Sequence, residues 1–179
     1  MTDVIKTAPR LDHPFFAWSG PLGLPDFTAF SDDDFGPAFD VALAAHDAEI
    51  AAIAASGDAP SFDTVIVPLE LAGEPLSRVS ALFWNRAGAH TNDTIRALER
   101  EMSPKLSRHY SRIAQNRELF ARVDAVWQGR AAAKLTTEQT RVLERHWKGF
   151  VRSGAKLEKA DQEKLAQLNE RLAVLGTQF

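Results

Sequence analysis

Apolar residues return every three or four positions along most of this chain, and that spacing predicts helices. Phe35, Phe39, Leu43, His46, Ile50 and Ile53 form one such stripe, the mark of a helix with a single buried face. Ser31 followed by Asp32, Asp33 and Asp34 sets its start. A serine oxygen accepts from a free backbone N–H there, and carboxylates favour the positive end of the helix dipole. Pro37 suits an early turn, and Gly57 and Pro60 close the element. Ser61 caps a second segment, in which Pro68 and Pro75 predict a kink or break near each. Leu76, Val79, Leu82 and Phe83 then resume the stripe, and Gly88 closes it.

The third and longest element opens at Asn92 or Asp93 and carries Ile95, Leu98, Met102, Leu106, Tyr110 and Ile113. Pro104 lies inside it. A mid-helix proline removes a hydrogen bond and clashes with the carbonyl four residues back, costing about 3 kcal/mol unless the helix bends. The stripe keeps phase across Pro104, so a bend rather than an end is expected. Leu119, Phe120, Val123, Val126 and Trp127 continue the element to Gly129. Thr136 or Thr137 caps a fourth helix, with Val142, Leu143, Trp147, Phe150 and Val151 inward and Gly154 as its left-handed end. The last helix opens near Lys159, Ala160 and Asp161. It sets Leu165, Leu168, Leu172, Leu175 and Phe179 in a 3-4-3-4 rhythm, the narrow stripe of a helix–helix seam. Thr64 to Val67 is the only β-branched run, too short for a sheet. The pattern therefore predicts an all-α fold, a single bundle of five to seven helices, some proline-kinked.

Residues 1–30 read differently. Pro9, Pro14, Gly20, Pro21, Gly23 and Pro25 exclude a long regular element. Phe15, Phe16, Trp18, Leu22, Leu24, Phe27 and Phe30 make the segment more apolar than a disordered tail. An extended aromatic arm over 1–30, covering the core of a helical domain over 31–179, is expected.

Composition adds exclusions. The 179 residues suffice for one domain with a real core. The net charge is −3 with both signs interspersed, so no basic face for a nucleic-acid partner is expected. No apolar run approaches the roughly 20 residues that cross a bilayer, so no membrane partner is expected. The absence of cysteine and of a signal-peptide core in Met1 to Arg10 points to a cytoplasmic chain.

Candidate chemistry is sparse. None of His13, His46, His90, His109 and His146 begins a His-Glu-x-x-His motif. None has Glu three residues before it, as a four-helix di-metal site needs. His90 and Asp93 have metal-compatible spacing, but Asp93 is better explained as a helix cap. Asp32 to Asp34 reads as a helix start rather than a cation site. His46 and His109 read as hydrogen-bonded core members. Lys105, Arg108, Arg112, Arg117 and Arg122 form a basic side of the third element, read as a solvated face partly offset by Glu99, Glu101 and Glu118. An anion or peptide-carboxylate site is its sharper alternative. Gly88 and Ala89 leave room for close backbone approach, read as helix packing. No catalytic, cofactor-binding or metal residue is assigned. The one candidate functional face is Leu165, Leu168, Leu172, Leu175 and Phe179, a domain-docking face, because the stripe is still running where the chain stops.

The order of several short segments carries a further signal. Asn85-Arg86-Ala87-Gly88-Ala89-His90-Thr91-Asn92, Ser103-Pro104-Lys105-Leu106 and Ile113-Ala114-Gln115-Asn116 are its centre. Around them stand His13-Pro14-Phe15-Phe16, Gly23-Leu24-Pro25-Asp26-Phe27, Phe150-Val151-Arg152-Ser153-Gly154-Ala155 and Leu172 to Phe179. Together they resemble the N-terminal region of the zinc oligopeptidases, the thimet oligopeptidase, oligopeptidase A and bacterial peptidyl-dipeptidase family, the peptidyl-dipeptidase branch most of all. Asp33-Asp34-Phe35 and Thr64 to Pro68 depart from the family pattern. The resemblance implies the N-terminal helical segment of a cytoplasmic zinc metallopeptidase, forming one wall of a channel that admits only short peptides. It implies zinc, held by two histidines and a glutamate, in a catalytic half absent from this chain, so that the segment is inactive alone. Its partners would be that catalytic domain and short peptides. A second reading stays open: a free-standing helical protein-binding or scaffold module that has lost the catalytic half. Both expect an exposed apolar strip on the last helix, and self-association through it.

Overall fold

The computed structural model of the chain describes residues 13–178. The fold is all-α, with no strand among the described residues. Short 3₁₀ turns at Pro21–Gly23 and Asp32–Asp34 lead into α1 (Phe35–Ala55). A π-helical turn, Phe62–Ile66, runs into α2 (Val67–Leu71), followed by α3 (Glu74–Ala89) and α4 (Asp93–Ala114). The chain continues through α5 (Arg117–Gly129), α6 (Thr137–Arg152) and α7 (Lys159–Gly176). These elements gather in two compact units, Met1–Ala48 with Gly73–Glu99, and Glu49–Ala72 with Arg100–Phe179.

The first unit is built on aromatic rings. Phe15, Phe35, Phe39 and Phe83 are buried. Phe15 stacks on Phe30 at 4.3 Å, and Phe83 meets Phe35 and Phe39 edge-on at 5.5 and 5.4 Å, the geometry that ring quadrupoles favour. The described part of the arm thus covers its own unit's core. Arg78 of α3 holds it there: the guanidinium lies 5.5 Å over the Trp18 ring and donates to the Phe16 carbonyl.

Ser31 opens α1 as its sequence suggests, with its N–H and hydroxyl both donating to Asp34 Oδ2 at 2.8 and 2.7 Å. Asp32 does more than favour the dipole. It accepts from Arg86 Nε of α3 at 2.9 Å and from Asn92 Nδ2 at 2.6 Å. Asn92 in turn caps α4, its Oδ1 accepting from the Ile95 N–H at 2.9 Å. Asp93 pairs instead with Arg96 at 2.6 Å, so Asn92 is the cap.

The core of the second unit includes Ile50, Ile53, Val65, Ile66, Leu119, Val123, Leu143 and Phe150. Trp127 and Trp147 stack at 4.9 Å, with Arg130 over one outer face at 3.8 Å and Lys156 over the other at 4.9 Å. Trp147 Nε1 donates to Asp124 at 2.6 Å, fastening α6 to α5. Arg122 donates to the carbonyls of Ser56 and Asp58 at 2.6 and 3.0 Å, closing the loop after α1. Thr136 and Gln139 form a reciprocal capping box at the start of α6, and Gly154 follows its end at φ +91°.

Several expectations need correction. Pro68 does not break the second segment. The backbone widens to a π turn just ahead of it, with the Val67 N–H bonded to the Phe62 carbonyl, which moves the carbonyl four residues back away from the proline ring. The break comes at Ala72–Gly73, and Pro75 sits in the first turn of α3. Gly88 lies inside α3, which ends at Ala89. As expected, Pro104 lies within α4 and does not end it. The third element does stop at Ala114, because Asn116 caps a new helix by accepting from the Leu119 N–H at 2.9 Å. Tyr110 is 51% exposed, and His109 takes its core position at 3%. At 3.6 residues per turn Tyr110 lies about 40° beyond Leu106, at the edge of the stripe, while His109 falls inside it.

Gly73 adopts φ +79°, and a Cβ there would sit 2.9 Å from Cε1 of the buried His46 ring. Gly73→Ala should therefore destabilise by about 1–3 kcal/mol. Gly149, in the last turn of α6, faces open space, so Gly149→Ala should stabilise by about 0.5–1 kcal/mol. Urea unfolding checks both, with midpoints moving in opposite directions at an unchanged slope.

Candidate functional site

The candidate face lies on α7 in the second unit, and one buried amide fixes where that helix begins. Gln162 is 6% exposed. Its Nε2 donates to the Gly154 carbonyl at 3.0 Å, and its backbone carbonyl accepts from Nε2 of Gln115, just past the end of α4, at 3.0 Å. A Cβ on Gly154 would lie 2.9 Å from Leu165 Cδ2, so the missing side chain makes room for the first leucine of the strip. Arg108 of α4 pairs with Glu170 further along α7.

The leucines of the strip fare unequally. Leu165 and Leu175 are half-buried, whereas Leu168 and Leu172 are 61% and 65% exposed. Phe179 lies outside the described residues. Orientation does not explain the difference, because Leu172 lies only about 20° around the helix from Leu165. The described residues cover the start of this face and leave its middle open.

Beside Leu172 lies a cavity of about 340 Å³ lined by Ser107, Tyr110, Ser111 and Ala114 of α4, Ser153, and Asn169 and Leu172 of α7. Its polar groups are hydroxyls and one amide, with no carboxylate or cation in the lining. Partial desolvation pushes the half-exposed Tyr110 phenol above its ordinary value, and at neutral pH it is a neutral hydrogen-bonding group, as an ordinary tyrosine is. The groove can hold neutral polar matter such as a peptide backbone, and it offers no nucleophile–base pair. Sequence reasoning missed it, although Ser107, Ser111 and Ala114 at spacings of four and three are a small-residue stripe that could have marked it. A second cavity, about 400 Å³, is lined by Leu135, Thr137, Thr140, Arg141 and Glu144. There the Lys148 ammonium and then the Arg141 guanidinium, each bonded to the Glu144 carboxylate, hold it below the usual range.

The histidines are dispersed. The His13 ring accepts from the Phe15 N–H at 3.4 Å, His46 packs where Gly73 lacks a side chain, and His90 is exposed at the end of α3. His109 lies 3.3 Å from Arg112, and His146 Nε2 meets Glu70 of α2. No group of three or more His, Cys, Asp or Glu side chains able to hold a metal comes together among the described residues. The basic side of the third element does not converge either: Arg108 is paired with Glu170, Arg112 lies beside His109, and Arg122 is spent on backbone carbonyls. No described helix is long and apolar enough to cross a membrane.

Residues 39–162 match the family model for the neurolysin/thimet oligopeptidase N-terminal domain. The chain is 42% identical over 168 residues to the dipeptidyl carboxypeptidase of Escherichia coli (strain K12), covering 93% of this chain and 25% of that protein. It is 37% identical over 175 residues to the dipeptidyl carboxypeptidase of Salmonella typhimurium, covering 98% and 25%. It is 26% identical over 158 residues to oligopeptidase A of Salmonella typhimurium, covering 88% and 23%. The chain thus spans about a quarter of the length of the curated relatives it matches. With a family match over more than half of its residues and this identity to two dipeptidyl carboxypeptidases, the chain belongs to the neurolysin/thimet oligopeptidase N-terminal domain family.

Proposed function

We propose that this chain is the N-terminal helical segment of a cytoplasmic zinc metallopeptidase that acts on short peptides, and that it forms one wall of the substrate channel without being catalytic alone. The observation that carries the reading is the 42% identity to a dipeptidyl carboxypeptidase of which the chain matches only a quarter. The residues present do not fit a zinc site: the chain has no His-Glu-x-x-His, and its described histidines, aspartates and glutamates do not cluster. The metal and the water it activates therefore belong to the remainder of the enzyme. What this chain contributes is shape. Packed helices exclude bulky substrates, and hydroxyl and amide groups like those beside Leu172 suit contact with peptide backbone. The Leu165, Leu168, Leu172, Leu175 and Phe179 face is where the catalytic part docks.

Zinc content and dipeptide release, measured on the 179-residue chain and on the uninterrupted product of its gene, test the reading. The longer product should bind zinc and release dipeptides from a short blocked peptide, and the chain alone should do neither. Turnover by the chain alone sinks the proposal. So does a reading frame that ends at Phe179, which would leave a free-standing scaffold module.

With Leu168 and Leu172 uncovered, the 179-residue chain should dimerise with rising concentration. Leu168→Ser with Leu172→Ser should keep it monomeric while changing stability by within about 0.5 kcal/mol per site, as exposed substitutions do. Sedimentation decides: a clean wild-type monomer at high concentration removes the docking face.

A further inference from the structure

The strongest unexplained feature outside the α7 face is the loop Pro21–Phe27 in the first unit. Leu22 is one of two non-glycine residues with positive φ among those described, at φ 61° and ψ 20°, and it is 99% exposed. A left-handed leucine is strained, because its Cβ crowds the following carbonyl. Among the described residues nothing compensates by burying the side chain. Leu24 and Phe27, two and five residues on, are also exposed, at 57% and 52%. Single exposed apolar residues are ordinary. Three within six residues, one of them held in a strained conformation, are not.

The loop is also rigidly built. The Gly20 N–H donates to the Leu24 carbonyl at 3.0 Å, the Gly23 N–H to the Gly20 carbonyl at 3.0 Å, and the Leu24 N–H to the Pro21 carbonyl at 3.2 Å. A Cβ on Gly20 would sit 2.5 Å from the Leu24 oxygen, so the closure needs glycine there. Pro21 and Pro25 fix φ on both sides. Asp26 then accepts from the Thr28 N–H at 2.9 Å and from its hydroxyl at 2.6 Å. The root is fastened by buried Phe15 and Phe16 and by Arg78. An apolar side chain presented on a closed, pre-ordered turn loses little entropy on docking, which is the property of an interface anchor.

We propose that Leu22, flanked by Leu24 and Phe27, is a preformed knob that seats in an apolar socket on the remainder of the same polypeptide. This rests on the reading that the chain is part of a longer peptidase, of which its relatives show it to be about a quarter. Pro21 to Pro25 carry no charge, so the socket is uncharged and sized for a branched aliphatic group.

Leu22→Cys provides the test, because the chain has no cysteine of its own. Alkylation at position 22, followed by peptide mass spectrometry, should be as fast as for a free thiol in the 179-residue chain. In the uninterrupted gene product it should be at least about tenfold slower, as for a site that must open before it reacts. Equal rates overturn the knob and leave the peptidase reading intact. Protection that grows with concentration in the 179-residue chain overturns it in favour of a second copy. A frame ending at Phe179 overturns both. Leu22→Asn supplies a readout independent of the probe, since asparagine tolerates the left-handed region and removes the apolar group. It should leave the Tm of the short chain unchanged or raised and lower that of the long protein. Shifts of the same sign in both overturn the proposal.

Discussion

The left-handed turn at Gly73 is the constraint on which the arrangement of helices within the first unit depends. Glu49–Ala72 belong with the second unit, and Gly73–Glu99 with the first. Pro75 in the next turn commits the backbone to start α3 at once. The space a side chain would need at position 73 is taken by the ring of His46, a buried member of the α1 stripe. One residue without a Cβ therefore lets α3 begin against α1. The Phe35–Phe83 and Phe39–Phe83 contacts follow from that placement.

Polar groups then fix what apolar burial leaves loose. Hydrophobic contact is non-directional, and a helix can slide or rotate by a residue at small cost in buried area. Asp32 removes that freedom in the first unit by accepting from Arg86 and Asn92 together. Gln162 does the same in the second, joining the segment after α6, the start of α7 and Gln115 just past α4. Arg122 and the Arg130–Trp127–Trp147–Lys156 stack add fastenings of the same kind. Each is a charged, amide or aromatic group that is costly to bury unpaired, so each tolerates one register only.

This division explains what was legible in the sequence. The α1 stripe, the capping residues Ser31, Asn92 and Thr136, and the left-handed Gly154 were legible because they depend on neighbours within a few residues. The π turn before Pro68 was not, since a proline signals strain but not which way the backbone relieves it. Nor was the end of α4. Leu119 and Val123 keep the helical spacing, and only the Asn116 side chain, free to cap, marks the restart. The role of Asp32 depends on partners 54 and 60 residues away, beyond any local pattern. At the candidate face the leucine rhythm of α7 was legible, but which leucines are covered was not. The groove beside Leu172 joins α4, Ser153 and α7, and only the α4 part leaves a periodic trace.

The polar groups of the described residues converge on no assembled nucleophile–base pair or metal cluster. A catalytic group must be held in place and still have a free atom to offer. Here the polar groups that are well held have partners: Asp32 two donors, Asp124 an indole, His146 Glu70, and the two terminal nitrogens of Arg122 two carbonyls, its Nε being buried without a bond among the described residues. The exposed polar side chains lack the enclosure that would make them reactive. The exposed large apolar groups of α7 are Leu168 and Leu172, set among exposed Lys164, Gln167 and Arg171. An apolar centre with a polar edge is an anatomy that interfaces share. Under the proposed reading, a segment whose held polar groups serve its own folding contributes shape and a docking face.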